Sequence, residues 1–234
     1  MGCLIPEEYG GNASGLLALT LAFEEISAAG FSPGLLLVTS MDASCIVRNG
    51  SEEMKRRFLP RIADGSKKFC FAVTEPDAGS NTFRIKTMAK RQGDVYVLNG
   101  QKMFISGVDE ADHMLVIART TSLEDAQAQG KPKSHGLALF VVDTNAEGLT
   151  RTRIPIPIMG EFDQFQLFFD DVQVPAGNLV GQEDAGVLAA FNSLNPERIL
   201  AAAMCLGITD YCLKTTVEYA TQRKVFKDTP IGAY

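Results

Sequence analysis

Three short segments combine residue types and spacing that could do chemistry. In the first, Phe71-Ala72-Val73-Thr74-Glu75-Pro76-Asp77-Ala78-Gly79-Ser80-Asn81, a strand-like run leads into Thr-Glu-Pro and a turn of small residues. Such a turn exposes backbone N–H groups and the hydroxyls of Thr74 and Ser80, donors suited to a carbonyl or a phosphate. An ordinary structural turn after a hydroxyl-capped strand explains the same residues. In the second segment, Asn99-Gly100 reads as a hairpin turn before a strand carrying Phe104, Ile105 and Ser106. Alternation places Phe104 and Ser106 on one face. An aromatic ring beside a hydroxyl could cover a flat heteroaromatic ligand and bond its edge, or could be a half-buried ring beside a surface serine. In the third segment, Asn195-Pro196-Glu197-Arg198, Asn195 reads as a helix cap, Pro196 as the first helical residue and Glu197 as a dipole partner. The alternative is a carboxylate set among Leu194, Ile199 and Leu200 and serving as a general base.

Composition narrows the chemistry. The chain has 234 residues, 46% of them hydrophobic, enough for a buried core in one or two domains. Its 22 basic residues face 28 acidic ones, which argues against a nucleic-acid partner. No apolar run is long enough for an ordinary membrane-spanning helix. Only two histidines occur, His113 and His135, so a histidine-rich metal centre is excluded and no metal site is expected. The five cysteines, Cys3, Cys45, Cys70, Cys205 and Cys212, are odd in number, scattered and without C-x-x-C spacing. That pattern predicts reduced, mostly buried thiols and a cytoplasmic protein. The start lacks the basic region and apolar stretch of a secretion signal.

The elements that must position these segments fall into three stretches. Apolar periodicity predicts a helix over Ser14–Ala29, ended by Gly30, and another over Leu35–Arg48. A third helix should begin at Ser51, a favourable N-cap followed by Glu52 and Glu53, and end near Asp64-Gly65. From Phe69 to Val180 short apolar runs alternate with turn signals. Phe69–Thr74, Val95–Leu98, Leu115–Ala118, Leu137–Val142 and Gln166–Phe169 read as strands. Gly93-Asp94, Asn99-Gly100, Asn145–Gly148 and Pro175–Gly177 read as turns. Thr120–Ser134 reads as a long surface loop. Helix returns over Ala185–Leu194 and Glu197–Arg223, with Asn195-Pro196 expected to break or kink the path between them. The expectation is an α+β chain: a helical segment over 1–66, a central antiparallel, barrel-like β-domain over 67–182, and the start of a C-terminal helical bundle over 183–234.

Taken together, the segments resemble the acyl-CoA dehydrogenase family. The likeness begins at Ile5-Pro6-Glu7-Glu8-Tyr9-Gly10-Gly11 and continues through Val73–Ser80 and Leu98–Ser106. It extends to Phe169-Asp170-Asp171-Val172-Gln173-Val174-Pro175 and Tyr219–Phe226. It spans nearly the whole chain, and its force lies in several modest motifs in the right order. Asp77 stands where glycine is common, and Phe104 where Trp is frequent. Family members carry further helices at both ends.

The resemblance implies FAD as cofactor and an acyl-CoA thioester as substrate. Phe71, Val73 and Thr74 would lie along the flavin, with Thr74 bonding its ring. Ser80 would contact the cofactor pyrophosphate or the acyl-CoA. Phe104 would pack on the isoalloxazine, with Ile105 beside it and Ser106 donating near N5. Arg223 and Phe226 would reach the FAD of a neighbouring subunit, which implies a homo-oligomer. Asn195 and Arg198 would line the substrate pocket. A carboxylate would take the α-proton as hydride leaves the β-carbon for the flavin, giving a trans-2-enoyl-CoA. Electrons would pass to an electron-transfer flavoprotein. The family places its base either on a late loop or at the position of Glu197, the latter in the isovaleryl-CoA and long-chain branches; Glu197 is the expected base. Alternatives on the same fold are an acyl-CoA oxidase or flavin monooxygenase. An alternative of another class is a non-catalytic acyl-CoA-binding or subunit-interaction module.

Overall fold

A computed structural model describes residues 1–156 and 162–234. Helices α1 (Gly15–Ala28), α2 (Gly34–Asn49) and α3 (Glu52–Ala63) precede eight strands. The strands are β1 (Phe69–Ala72), β2 (Met88–Gln92), β3 (Val95–Ser106), β4 (His113–Arg119), β5 (Leu137–Asp143), β6 (Leu149–Ile154), β7 (Gln164–Pro175) and β8 (Leu179–Val180). A short helix α4 (Leu123–Ala128) interrupts them, and α5 (Gly186–Gln222) follows. The α+β order of helices, sheet and helix is the one expected. Ser51 caps α3 by accepting from the Met54 N–H at 3.2 Å.

The strands form one sheet in the order β6-β7-β3-β2-β4-β5-β8, with β1 added beside β4. Most pairings are antiparallel, but β1 and β2 each run parallel to β4. Strands β4 and β5 are apolar on both faces because both faces are covered. Leu115, Ile117, Leu137, Leu139 and Val141 point toward α2, α3 and the start of α5. Their alternating neighbours Met114, Val116, Ala118, Ala138, Phe140 and Val142 point into a second core shared with β3 and β7. A third cluster packs Leu19 and Phe23 of α1 on Leu200 and Ala203 of α5. The α1–α5 crossing is close: a Cβ at Gly207 would lie 2.2 Å from the Glu24 carbonyl oxygen.

Four sequence expectations are corrected. Asn195-Pro196 does not break the helix, which runs unbroken for 37 residues with Pro196 inside it. Proline forfeits one hydrogen bond there, but tertiary contacts hold the helix on both sides of it. The Ser193 hydroxyl donates to the Met41 carbonyl at 3.0 Å and the Cys45 thiol to the Ala189 carbonyl at 3.3 Å. Asn195 is therefore no cap; its Oδ1 accepts from Arg198 at 2.7 Å. Asn99-Gly100 is no hairpin turn but a bulge within the 12-residue β3, where the register with β7 shifts between Leu98 and Gly100. Thr120–Ser134 is not all loop, because Ser122 caps α4 by accepting from the Asp125 N–H at 3.0 Å. All five thiols are free, but burial is uneven: Cys45 and Cys70 are buried, Cys3 is half-buried, and Cys205 and Cys212 lie exposed on the outer face of α5. No helix among the described residues is long and apolar enough to cross a membrane.

Candidate active site

Four of the sequence-selected residues share one cleft of about 200 Å³: Phe71, Phe104, Ser106 and Glu197. Val38, Met41 and Leu194 complete its lining. Each wall comes from a different element. Phe71 lies in β1 next to its last residue, Phe104 and Ser106 lie at the end of β3, Val38 and Met41 are one turn apart on α2, and Leu194 and Glu197 are one turn apart on α5. The cleft thus lies where the sheet meets α2 and α5. Period-two alternation is not what unites Phe104 and Ser106. A second register shift separates Lys102 from Ile105, and Phe104 takes φ 58°, a left-handed conformation that costs an aromatic residue energy. The distortion leaves the ring 54% exposed at the cleft mouth.

The cleft combines one carboxylate and one hydroxyl with an apolar, aromatic lining. Glu197 is half-buried. Its apolar setting is not the expected one, since of Leu194, Ile199 and Leu200 only Leu194 lines the cleft. The rest is supplied by Val38, Met41, Phe71 and Phe104. The i, i+3 spacing of Val38 and Met41 was the sequence signal for two wall residues that motif reading missed. Gln164 donates its Nε2–H to Ser106 Oγ at 2.7 Å, so the serine keeps its own O–H to donate elsewhere.

Other candidate residues lie elsewhere. Val73 lines a neighbouring apolar slot with Thr82, Phe83, Ile85, Ile117, Leu137 and residues of α5, and Leu194 is common to both hollows. Thr74 is half-buried just past β1, its carbonyl accepting from the Met103 N–H at 2.8 Å. Ser80 is exposed on the turn. Ile105 turns its side chain into the second core, leaving its backbone for any ligand contact. Asn195 and Arg198 are exposed on α5, with the guanidinium 5.9 Å over the Phe191 ring. Arg223 and Phe226 stand exposed beyond the end of α5, Phe226 at 81%.

The two motif strands are joined by a pair that sequence reading also missed. The Lys102 ammonium, fully buried, donates to Glu75 Oε1 at 2.9 Å and to the Val73 carbonyl at 3.0 Å. The Glu75 carboxylate also accepts the N–H groups of Lys86 and Thr87 at 2.7 and 3.1 Å. Burial works to raise the Glu75 pKa, but the adjacent ammonium and these donors hold it below its ordinary value. Burial pushes Lys102 down to about 8 despite Glu75. Asp77 is tied to Lys86 at 3.0 Å on the surface.

Comparison with known proteins shows the family of the chain. The chain matches three domain profiles in succession: acyl-CoA dehydrogenase, N-terminal domain, over residues 1–66, middle domain over 70–172, and C-terminal domain over 184–234. The chain belongs to the acyl-CoA dehydrogenase family. Acyl-CoA dehydrogenase FadE12 of Mycobacterium tuberculosis is 45% identical over 235 residues, covering all of this chain and 58% of that protein. The structure of a glutaryl-coenzyme A dehydrogenase with glutaryl-CoA superposes with a TM-score of 0.90 at 33% identity, over all of this chain and 58% of that one. A glutaryl-CoA dehydrogenase from Mycobacterium smegmatis in complex with FADH2 superposes with a TM-score of 0.83 at 32% identity, over 97% of this chain and 55% of that one. The chain therefore spans a little over half the length of these relatives.

Proposed function

We propose that the chain carries the catalytic cleft of an FAD-dependent acyl-CoA dehydrogenase that converts an acyl-CoA thioester to a trans-2-enoyl-CoA. The observation supporting this reading most is the convergence of Glu197 with Phe71, Phe104 and Ser106 in one cleft. The residues suit a flavin: Phe71 and Phe104 offer apolar ring surface, and the Ser106 O–H is free to donate to a ring edge. Thr74, Ser80 and the backbone of Val73 and Ile105 belong to the same two motifs and would complete the cofactor contacts. FAD would supply the hydride acceptor; the protein supplies placement, a base and exclusion of water. Glu197 takes the α-proton of the thioester. With Phe71, Phe104 and Ser106 holding the flavin, Glu197 in the same cleft would be the proton acceptor for an acyl chain bound between them. The apolar lining by Val38, Met41 and Leu194 fits the acyl carbons around the reacting bond. Asn195 and Arg198, on the same helix as the base, would meet the polar CoA portion. Arg223 and Phe226 would reach a second subunit in a homo-oligomer, and an electron-transfer flavoprotein would take the electrons. The three units would be 1–66, 67–182 and 183–234.

The test is spectroscopic. After incubation with FAD and desalting, the protein should keep a flavin spectrum, and acyl-CoA added without oxygen should bleach it and yield the enoyl-CoA. Retained flavin with reoxidation by oxygen in place of an electron-transfer flavoprotein would indicate an oxidase. Failure to retain flavin would favour a binding module.

A further inference from the structure

Arg119, the last residue of β4, is 1% exposed. Its guanidinium has five N–H groups, and all five go to backbone carbonyl oxygens. Nε donates to Ile85 at 2.7 Å. Nη1 donates to His135 at 2.9 Å and to Thr121 at 3.4 Å. Nη2 donates to Phe83 at 2.7 Å and to Lys133 at 3.1 Å. Its own backbone N–H donates to the Thr87 carbonyl at 2.7 Å. No carboxylate forms an ion pair with it among the described residues. A buried cation spent wholly on carbonyls is an expensive device unless the segments it joins must be held in place.

Those segments are the walls of the apolar slot that shares Leu194 with the Glu197 cleft. Phe83 and Ile85 line the slot directly, and Leu137 follows the 133–136 segment that Arg119 also holds. Next to Arg119, the Thr120 hydroxyl donates to Asp184 Oδ1 at 2.7 Å, anchoring the approach to α5, whose Gly186 and Val187 line the opposite wall. The same end of the turn is also held by Glu75, whose carboxylate accepts from Lys86 and Thr87. Over residues 83–87 a guanidinium thus collects carbonyls and a carboxylate collects the N–H groups that follow them.

We infer that Arg119 is a positioning residue for substrate: it fixes the Pro76–Lys86 turn, and with it Ser80, beside the path by which acyl-CoA reaches Glu197, whereas the slot behind the turn, about 30 Å³, has room for no more than a water. The inference rests on reading that cleft as the acyl-CoA site. Lysine cannot replace the arginine, because three donors on one nitrogen cannot span five carbonyls in a plane.

The experiment compares the FAD-loaded wild-type chain with Arg119→Lys in two measurements. The first is tryptic cleavage after Arg84, which lies between the two carbonyls Arg119 holds. Cleavage there should accelerate at least tenfold in the variant, while cleavage after Arg48 and Arg61 stays near the wild-type rate. The second is the dissociation constant for an acyl-CoA, read from the flavin spectrum, set against the rate of flavin reduction at saturation. The dissociation constant should rise at least tenfold, by more than the rate falls. Uniform acceleration at all three tryptic sites, or an unchanged dissociation constant with faster Arg84 cleavage, would overturn the positioning role. If the wild-type chain shows no spectral response to acyl-CoA, it is the catalytic reading that fails, whereas the Arg84 result reports the turn independently. Arg119→Gln, which removes the charge and keeps only two donors, should accelerate Arg84 cleavage at least as much as Arg119→Lys; a wild-type rate would also overturn the role.

Discussion

The sheet and the helices treat buried polar groups in opposite ways. The sheet region buries Glu75, Lys102 and Arg119, and gives each hydrogen-bond partners. Its exception among the described residues is His113 Nδ1. Helices α1 and α2 bury Ser27, Ser40 and Asp42 with no partner at Ser27 Oγ, Ser40 Oγ or either Asp42 carboxylate oxygen. The cause is structural. Turns and strand ends leave backbone N–H and C=O groups unspent beside a polar side chain, whereas a helix interior consumes its own. A hydroxyl buried between helices can still share a helix carbonyl, as Ser193 does with Met41, but a carboxylate needs donors, and Asp42 finds none. Exposure differs as well. After Gly207, α5 buries no further residue, and Leu213, Val217 and Tyr219 are all at least 59% exposed. The cleft sits on the seam, with its aromatic wall on the satisfied side and its carboxylate on the less finished one.

The contrast can be broken in three ways. The largest effect should appear in amide hydrogen exchange. Amides of Cys212–Gln222 should exchange orders of magnitude faster than those of β4 and β5, because local opening energies range from near zero at exposed helix ends to the global value in core strands. Equal protection would dissolve the distinction. Next, Lys102→Met should cost about 3–5 kcal/mol in denaturant unfolding, because it leaves Glu75 buried without its cation. Adding Glu75→Gln should recover much of that loss; no recovery would mean that the pair is not what the substitution breaks. Smallest, and opposite in sign, is Asp42. Burial raises its pKa well above the ordinary value. Its contribution to stability is therefore full below about pH 4 and is lost as pH rises through the folded-state value. Glu75, lowered in the folded state, contributes stability above its ordinary pKa that is lost as pH falls. Asp42→Asn should stabilise the chain at pH 8 by on the order of 1–3 kcal/mol and flatten the decline toward high pH. Glu75→Gln should flatten the decline toward acid. The same slope change from both variants would contradict the assignment.

Much of this organisation was legible in the sequence. Helices α1 to α3 were readable because periodicity, the Ser51 cap and the terminal glycine signals agree. Strands β4 and β5 were readable because covered faces leave unbroken apolar runs. Strands β2 and β6 were not, because Lys90, Arg91, Arg151 and Arg153 give them the polarity of loops. Pro196 misled because its local signal is the same at a helix start and within a helix held by tertiary contacts. Phe71, Phe104, Ser106 and Glu197 were found through motifs, yet their convergence was not visible. It depends on the β3 bulges and the path of α5, which no local pattern states. Lys102 gave no local signal, since its partner lies 27 positions earlier.

The central assignment, Glu197 as the base in the flavin cleft, is tested most directly by the flavin spectrum of Glu197→Gln. Loaded with FAD and titrated with acyl-CoA without oxygen, the variant should stay yellow, still shift its spectrum on binding, and lose at least 1000-fold of the wild-type bleaching rate, about 4 kcal/mol of barrier. Bleaching at a rate close to wild type would show that another group removes the proton.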